Sequence, residues 1–214
     1  MASEILTPVL LLEAYRNGLF PMAEGRDETE LIWVNPEWRG VIPLNNFHLS
    51  RSLIRQLRKT NYEVRINHDF DGVVAGCANR PNTWINSEIT RAYRQLFDLG
   101  HVHTLEIYDG PSMIGGVYGV SIGATFFGES MFSRQKNASK IALAYLVDRL
   151  RMARFELFDT QFLTPHLASL GAIEISRHDY RAALFNAVEL VADFTGPPIP
   201  SSAQEMIQRN AQTS

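Results

Sequence analysis

Three apolar segments in the middle of the chain alternate like β-strands and are joined by very short turns. They read "HTLEIYD" (103–109), "MIGGVYGVSIG" (113–123) and "ATFFGESMF" (124–132). Connections this short join neighbouring antiparallel strands. The following segment, "ASKIALAYLVDRLRMA", has helical spacing, and "FELFDTQFL" then alternates like a further strand. Helices mixed around a run of antiparallel strands predict an α/β or α+β fold.

The two ends of the chain have a different character. "LTPVLLLEAYRNGLFPM" predicts a short helix, with Thr7 as the N-cap, Pro8 at the first helical position and Gly18 at the C-terminal end. Pro36 then divides the next segment into short extended pieces, and the Pro-rich, polar end of the chain is typical of a peripheral arm. We therefore expect a small N-terminal domain, a main catalytic domain and a C-terminal tail, at residues 1–45, 46–195 and 196–214.

The composition is that of an ordinary globular protein. Hydrophobic residues make up 45% of the chain and charged residues 20%. The single cysteine, Cys77, rules out an internal disulfide framework and indicates a reducing compartment. The apolar start is too short for a signal peptide, and no apolar stretch reaches the length of a membrane span. These features predict a cytoplasmic protein that acts without a membrane, and we expect a monomer.

A polar pair follows an apolar strand in "FDTQF". In a strand, Asp159 and Gln161 would point to one face, which they share with Phe155 and Leu157. A carboxylate there can orient the Gln161 amide by accepting its N–H, which leaves the amide oxygen to accept from a substrate amine. A purely structural buried pair has the same spacing, so the sequence leaves both interpretations open.

Glu129 is a carboxylate in an aromatic neighbourhood, "FFGESMF". Such a group suits recognition of a cation or an amine, and its alternative is a plain ion pair with nearby Arg134. Three apolar residues on the same strands, Val117, Phe126 and Met131, would line a pocket beside it, although strand spacing is equally typical of core residues.

A cluster of basic residues lies on one predicted helix, "SRSLIRQLRK", in a chain whose net charge is −3. This pattern predicts phosphate contacts with salt-dependent affinity, and a solvated helix face would look the same. Aromatic residues that could stack on unpaired bases include Tyr15, Trp33, Trp38 and Trp84. The basic residues are Arg51, Arg55, Arg58 and Lys59.

Other catalytic patterns fit the sequence poorly. Ser130 lacks the second glycine of a nucleophile elbow, because position 132 is Phe. His101 and His103 share a strand face without the cysteines or carboxylates that would complete a metal site. We therefore predict no metal site at these histidines.

Taken in order, several short motifs resemble those of the leucyl/phenylalanyl-tRNA–protein transferase family. The similarity runs from about Thr7 to Tyr180. Its most specific part is "GESMFS" followed by "ASK" and then "DTQ". The remaining motifs are "AYRNGLFPM", "IWVNPEWRG", "TWI", "GGVYGV", "FFGESMFS", "ASKIAL" and "HLASLGA".

This resemblance implies both a fold and an activity. The fold would be a small N-terminal domain joined to a domain like the GCN5-related N-acetyltransferases, with a mixed, largely antiparallel sheet. The activity would be transfer of Leu or Phe, and less well Met, from aminoacyl-tRNA to proteins that begin with Lys or Arg. The product would enter bacterial N-end rule degradation, and no metal or cofactor would be used.

The resemblance also implies roles for individual residues. Asp159 would polarise Gln161, Gln161 would draw on the attacking amine, and Glu129 would hold the acceptor N-terminus. Tyr15 and Trp84 would hold the aminoacylated 3′ adenosine of the tRNA. Many family members have Trp where this chain has Met22, so the platform for the adenine would be built differently here.

Two rival functions are open to test from the sequence. A GCN5-related acetyltransferase would need glycines to approach a pyrophosphate, and the comparable stretch "RQKNAS" has Asn137 and Ser139 instead. A non-catalytic binder of tRNA 3′ ends would need the basic helix and the aromatic residues, but it would not need Asp159, Gln161 or Glu129.

Overall fold

The structure, a computed structural model, describes residues 6–26, 28 and 30–211. Its helices are α1 Pro8–Arg16, α2 Arg51–Lys59, α3 Phe70–Ala78, α4 Ser87–Asp98, α5 Ala138–Met152, α6 Pro165–Ala168, α7 Arg177–Ala187 and α8 Ala203–Ala211. Its strands are β1 Phe20–Ala23, β2 Leu31–Val34, β3 Trp38–Val41, β4 Glu63–Ile66, β5 Val102–Asp109, β6 Ser112–Ile122, β7 Thr125–Ser133, β8 Leu157–Gln161 and β9 Ile173–Ser176.

A mixed, largely antiparallel sheet forms the centre of the molecule. Its strand order is β4-β5-β6-β7-β8-β3-β9. The predicted run of three antiparallel strands is confirmed as β5, β6 and β7. Strand β8 pairs in parallel with β7, as expected for two strands joined by a helix, here α5. The predicted fold class is confirmed.

The sheet separates two apolar layers because successive strand residues point to opposite faces. Val117 and Phe126 pack on one face with α2, α5 and α8, whereas Tyr118 and Phe127 pack on the other with α1, α3, α4 and α7.

The N-terminal helix begins and ends as its sequence predicts. The Thr7 side chain accepts a hydrogen bond from the backbone N–H of Leu10, and Pro8 occupies the first helical position. Gly18 follows the helix with a φ of +77°, a conformation that glycine adopts without a steric penalty. The chain then enters the β1–β2 hairpin, which forms a separate two-stranded sheet.

The predicted division at residue 45 does not follow the sheet. Strand β3 pairs with β8 on one side and with β9 on the other, so residues 38–41 lie inside the main sheet. The proline-broken pattern of this segment hid the strand, because short strands carry little alternation. Strands β1 and β9 are also additions to the elements expected from the sequence.

The prediction of a peripheral C-terminal arm was wrong for residues 203–211. Helix α8 buries Met206 and Ile207 against α2 and α5, in the apolar layer on that side of the sheet. Arg209 donates to both oxygens of Asp148, with an Nε–Oδ1 distance of 2.8 Å. Two adjacent apolar residues and this ion pair thus dock a helix whose sequence is otherwise polar.

Among the helices of the described residues, none combines the length and the apolar character that crossing a bilayer requires.

Candidate active site

A cavity opens where strands β7 and β8 separate. Their pairing ends at Phe127 and Asp159, and the strands diverge beyond these residues. The cavity has a volume of about 210 Å³. Exposed Arg80 and Phe162 and half-buried Trp84 form part of its wall. The other lining residues are Val117, Gly128, Glu129, Ser130, Met131, Leu143, Phe158, Thr160, Thr164 and Leu167.

Glu129 reaches the cavity from an irregularity in β7. Gly128 pairs with Gly119 and Ser130 pairs with Tyr118, so Glu129 has no counterpart on β6 and forms a one-residue bulge. Bulges of this kind redirect a side chain out of the regular alternation. The sequence correctly indicated an unusual carboxylate, but alternation alone could not reveal the bulge.

Three hydrogen bonds hold the Glu129 carboxylate, which is only 6% exposed. Tyr15 Oη donates to Oε1 at 2.6 Å, and Tyr93 Oη donates to Oε2 at 3.0 Å. Gln161 Nε2 donates to Oε2 at 3.2 Å. The two tyrosine hydroxyls also contact each other. The alternative ion pair does not form, since Arg134 donates to the backbone oxygen of Met113.

Burial raises the pKa of Glu129 to about 7, although the hydrogen bonds from Tyr15, Tyr93 and Gln161 favour the ionised form and the nearby negative charge of Asp159 disfavours it. Protonated and ionised forms are therefore both available near neutral pH. A perturbed carboxyl group in a cavity is a common feature of functional sites.

The predicted contact between Asp159 and the Gln161 side chain was wrong. Asp159 Oδ1 accepts from the backbone N–H of Gln161 at 2.7 Å, and the Gln161 amide turns to Glu129. The reason is local: Gln161 has a φ of +65°, which ends the strand alternation that the prediction assumed. Glu129, not Asp159, therefore orients this amide.

Two residues that the sequence analysis missed surround the Asp159 carboxylate. Arg39 donates to both of its oxygens, at 2.9 Å from Nε and 2.7 Å from Nη2, and Tyr180 Oη donates at 2.7 Å. Both residues are 1% exposed. The available signal was an arginine in "WRGV", a short extended segment in which a buried cation requires a carboxylate partner.

The structure places the three predicted pocket residues differently. Val117 and Met131 line the cavity. Phe126 is not among the lining residues: it is 1% exposed and packs against Phe158 and Phe194. It is therefore a core residue and not the ligand contact that was predicted. Leu143 and Leu167, which do line the cavity, come from α5 and α6.

The residues expected to hold the tRNA 3′ end also differ in position. Trp84 lines the cavity, in the loop before α4. Tyr15 has no exposed surface with which to contact adenosine, and its hydroxyl donates to Glu129 instead. Met22 lies in β1, half-buried and packed against the apolar layer that contains Tyr15.

The predicted basic helix is confirmed as α2, which is capped by the Ser50 side chain. Its four basic side chains are exposed. Arg58 donates to Gln204, whereas the other three have no ion pair or hydrogen bond from their side chains to any described residue. The helix abuts the loop before α5, because Asn137 donates to Gln56. The four residues are Arg51, Arg55, Arg58 and Lys59.

Other reactive side chains lie in structural surroundings. Burial raises the pKa of the Cys77 thiol to about 12 and lowers the pKa of His103 to about 4. His103 stacks on Phe194 at a centroid distance of 4.3 Å. Within residues 6–26, 28 and 30–211, no group of three or more His, Cys, Asp or Glu side chains is arranged to hold a metal ion.

Comparisons with known proteins agree with the resemblance. The family profile "Leucyl/phenylalanyl-tRNA protein transferase" matches residues 41–185, and the profile of that family's N-terminal domain matches residues 4–37. A leucyl/phenylalanyl-tRNA–protein transferase of Cereibacter sphaeroides is 55% identical over the full length of both chains. One from Ruegeria pomeroyi is 58% identical over 98% of this chain and 99% of its own.

Among solved structures, a functionally unknown conserved protein from Staphylococcus epidermidis aligns with a TM-score of 0.41 and 15% identity, over 81% of this chain and 66% of its own.

A buried carboxylate in a cavity between diverging strands, together with the sequence relatives, defines the class of this protein as an aminoacyltransferase that forms a peptide bond. The chain belongs to the leucyl/phenylalanyl-tRNA protein transferase family.

Proposed function

We propose that this protein transfers Leu or Phe, and Met less well, from aminoacyl-tRNA to the α-amine of proteins whose first residue is Lys or Arg. The observation that carries the proposal is the cavity between β7 and β8, in which an apolar wall and the Glu129 carboxylate face the same space, with the Gln161 amide hydrogen-bonded to that carboxylate. Asp159 has a supporting role in this site, because its carboxylate is fully buried.

The donor side chain would occupy the apolar part of the cavity. Val117, Met131, Leu143, Phe158 and Leu167 offer it hydrocarbon contacts from five different elements. A cavity of about 210 Å³ suits one large apolar side chain. Discrimination by size alone is modest, on the order of 1–3 kcal/mol for each methylene, which fits an enzyme that accepts several large side chains.

The acceptor amine would bind beside Gln161. Because Gln161 Nε2 donates to Glu129, its Oε1 is left to accept a hydrogen bond from the amine. An α-amine has a pKa of roughly 7.7–8.0, so a useful fraction is neutral at the pH of the cell. The negative charge available on Glu129 favours the approach of a cationic N-terminus.

The reaction needs positioning more than strong acid–base catalysis, because an aminoacyl ester is already activated. The amine nitrogen attacks the ester carbonyl carbon, the new C–N bond forms, and the bond to the ribose oxygen breaks. The proton lost by the amine ends on the ribose hydroxyl that leaves. Gln161 acts as the group that orients the amine.

The tRNA would lie across the α2 side of the molecule. Arg51, Arg55, Arg58 and Lys59 are exposed cations suited to phosphate oxygens. Trp84 at the cavity offers an aromatic face for the terminal adenosine, and Met22 would contribute from the N-terminal hairpin.

In the cell, the product would be a protein with a new N-terminal Leu or Phe, which marks it for N-end rule degradation. We place this reaction in the cytoplasm and expect the protein to act as a monomer without a metal or cofactor.

The proposal is tested by mixing the purified enzyme with tRNA that carries tritium-labelled leucine and with an acceptor protein that begins with Arg. A twin of the acceptor that begins with Gly is the control. We expect acid-stable label in the Arg protein only. Salt-sensitive tRNA binding without label in either acceptor protein would refute the proposed transferase activity and support a non-catalytic binder of tRNA. Transfer to the Gly twin as well would contradict the acceptor rule.

A further inference from the structure

The Asp159 carboxylate has no capacity left for a substrate. Oδ1 accepts from Arg39 Nε and from the backbone N–H of Gln161, and Oδ2 accepts from Arg39 Nη2 and Tyr180 Oη. A carboxylate offers about four lone-pair positions, and all four are filled. The group is 0% exposed and does not line the cavity, and the side-chain amide of Gln161 donates to Glu129 instead.

What Asp159 does hold is a strained piece of backbone. Gln161 has a φ of +65°, and a non-glycine residue in this region costs on the order of 1–3 kcal/mol. The bond from its N–H to Asp159 helps to maintain this conformation. The conformation in turn directs the side chain to Glu129, where Nε2 donates at 3.2 Å.

Arg39 ties this backbone to distant parts of the chain. Its guanidinium lies 4.7 Å from the centre of the Phe20 ring and 4.4 Å from that of the Tyr180 ring. Nη1 donates to the backbone oxygen of Gly18 at 2.9 Å. The cation is thus held by two aromatic rings and a backbone carbonyl, and a bidentate pair of this kind fixes the carboxylate geometry as well.

We propose that Arg39 and Tyr180 are positioning residues for the transfer reaction, which act by clamping Asp159 so that its carboxylate holds the Gln161 backbone against Glu129. In this account Asp159 itself is a positioning residue and relays neither charge nor protons. The inference rests on the proposed function, in which Glu129 and Gln161 face the acceptor amine.

A charge-deletion cycle separates positioning from chemistry. Arg39→Gln leaves Asp159 buried without its counter-ion, and Asp159→Asn leaves Arg39 unpaired, so each single variant should lose about 100-fold or more in kcat. The double variant Arg39→Gln/Asp159→Asn removes both buried charges together. We expect the kcat of the double variant to be at least about tenfold higher than that of the less active single variant, because the two changes are coupled. A double variant no more active than Asp159→Asn would overturn the inference, since it would mean that the charge takes part in the reaction.

Hydrogen exchange of the amides in residues 157–164 gives a readout that does not depend on activity. We expect the backbone N–H of Gln161 to exchange faster in both single variants, because an unpaired residue at position 39 or 159 loosens its hydrogen bond to residue 159. In the double variant, which has no unpaired buried charge, the same N–H should be protected again. Unchanged exchange in the single variants would contradict the clamp even if the double variant fails to fold.

Tyr180→Phe is a milder test, because it removes one hydrogen bond and keeps both charges. We expect a several-fold lower kcat with an unchanged KM for the acceptor and an unchanged midpoint of the pH–rate profile. A shifted midpoint would indicate that the carboxylate takes part in proton transfer and would overturn the inference.

The chain offers a matched control in Arg209, which forms a second bidentate pair with largely buried Asp148. Arg209→Gln should lower stability while kcat stays at the wild-type value, since the pair joins α8 to α5. Equal losses of kcat in Arg209→Gln and Arg39→Gln would overturn the inference, because the loss would then be a general effect of lower stability. Absence of transfer by the wild-type protein would refute the proposed function instead, and the exchange result would still test the clamp.

Discussion

Glu129 unites most of the unusual chemistry of the site in one side chain. It lies at a bulge, faces the cavity and receives hydrogen bonds from both tyrosine hydroxyls and from Gln161. Its folded pKa of about 7 lies above the value of 4.5 of an unperturbed side chain. The folded protein therefore binds this proton more tightly than the unfolded chain does.

This raised pKa predicts a pH-dependent effect of Glu129→Gln on stability. The contribution of the Glu129 proton is fully present below pH 4.5 and is lost as the pH rises through about 7. Between pH 4.5 and pH 8, the free energy of unfolding of the variant minus that of the wild type should thus increase by up to about 3 kcal/mol. Urea unfolding at several pH values measures this difference. Parallel pH profiles for the two proteins would contradict the raised pKa.

Sequence reasoning reached individual site residues unevenly. It found Glu129 and Gln161 because polar side chains among aromatics are conspicuous, whereas the partner of Gln161 depended on a φ value that alternation does not encode. Tyr93 and Tyr180 were missed because a tyrosine on an apolar helix face looks like any core residue until its hydroxyl has a partner.

At the scale of elements, strong periodicity predicted what short segments did not. The long helix α5 and strands β5–β7 carry clear patterns and were expected. Four-residue strands such as β3 and β9 carry too few alternations, and their place in the sheet depends on pairing with distant residues. Helix α8 shows the same limit, because its docking depends on two buried side chains.

The exposed cations of α2 predict a salt-dependent effect on tRNA binding. Arg51→Gln/Arg55→Gln should weaken binding and reduce the slope of log K against log[salt] by about 0.7–0.9 for each lost phosphate contact. Its kcat at saturating donor should stay near that of the wild type, because α2 lines no part of the cavity. Titration of labelled tRNA at several salt concentrations measures the slope.

Helix α7 supplies the control for this experiment. Arg177 and Arg181 are exposed and have the same four-residue spacing, but α7 packs on the opposite face of the sheet. Arg177→Gln/Arg181→Gln should leave the salt slope unchanged. Equal slopes for the α2 variant and the wild type would mean that the tRNA lies elsewhere.

At the scale of the whole molecule, the site draws its residues from several distant parts of the described chain. The N-terminal helix provides Tyr15, α4 provides Tyr93, and the central sheet provides Glu129 and Gln161. Arg39 links β3 to Gly18 and to Tyr180 on α7. The short N-terminal part is thus a structural component of the site, and its hairpin and helix share one apolar layer with α3, α4 and α7.

The central claim is that the cavity between β7 and β8 receives the donor side chain next to the Glu129–Gln161 pair. A crystal structure of the protein with a phenylalanyl-adenosine analogue, in which an amide replaces the reactive ester, tests it directly. We predict the phenyl ring between Val117, Leu143 and Leu167, with the carbonyl carbon towards Gln161. An analogue bound with its ring outside this cavity, and Glu129 and Gln161 facing no part of it, would contradict the account.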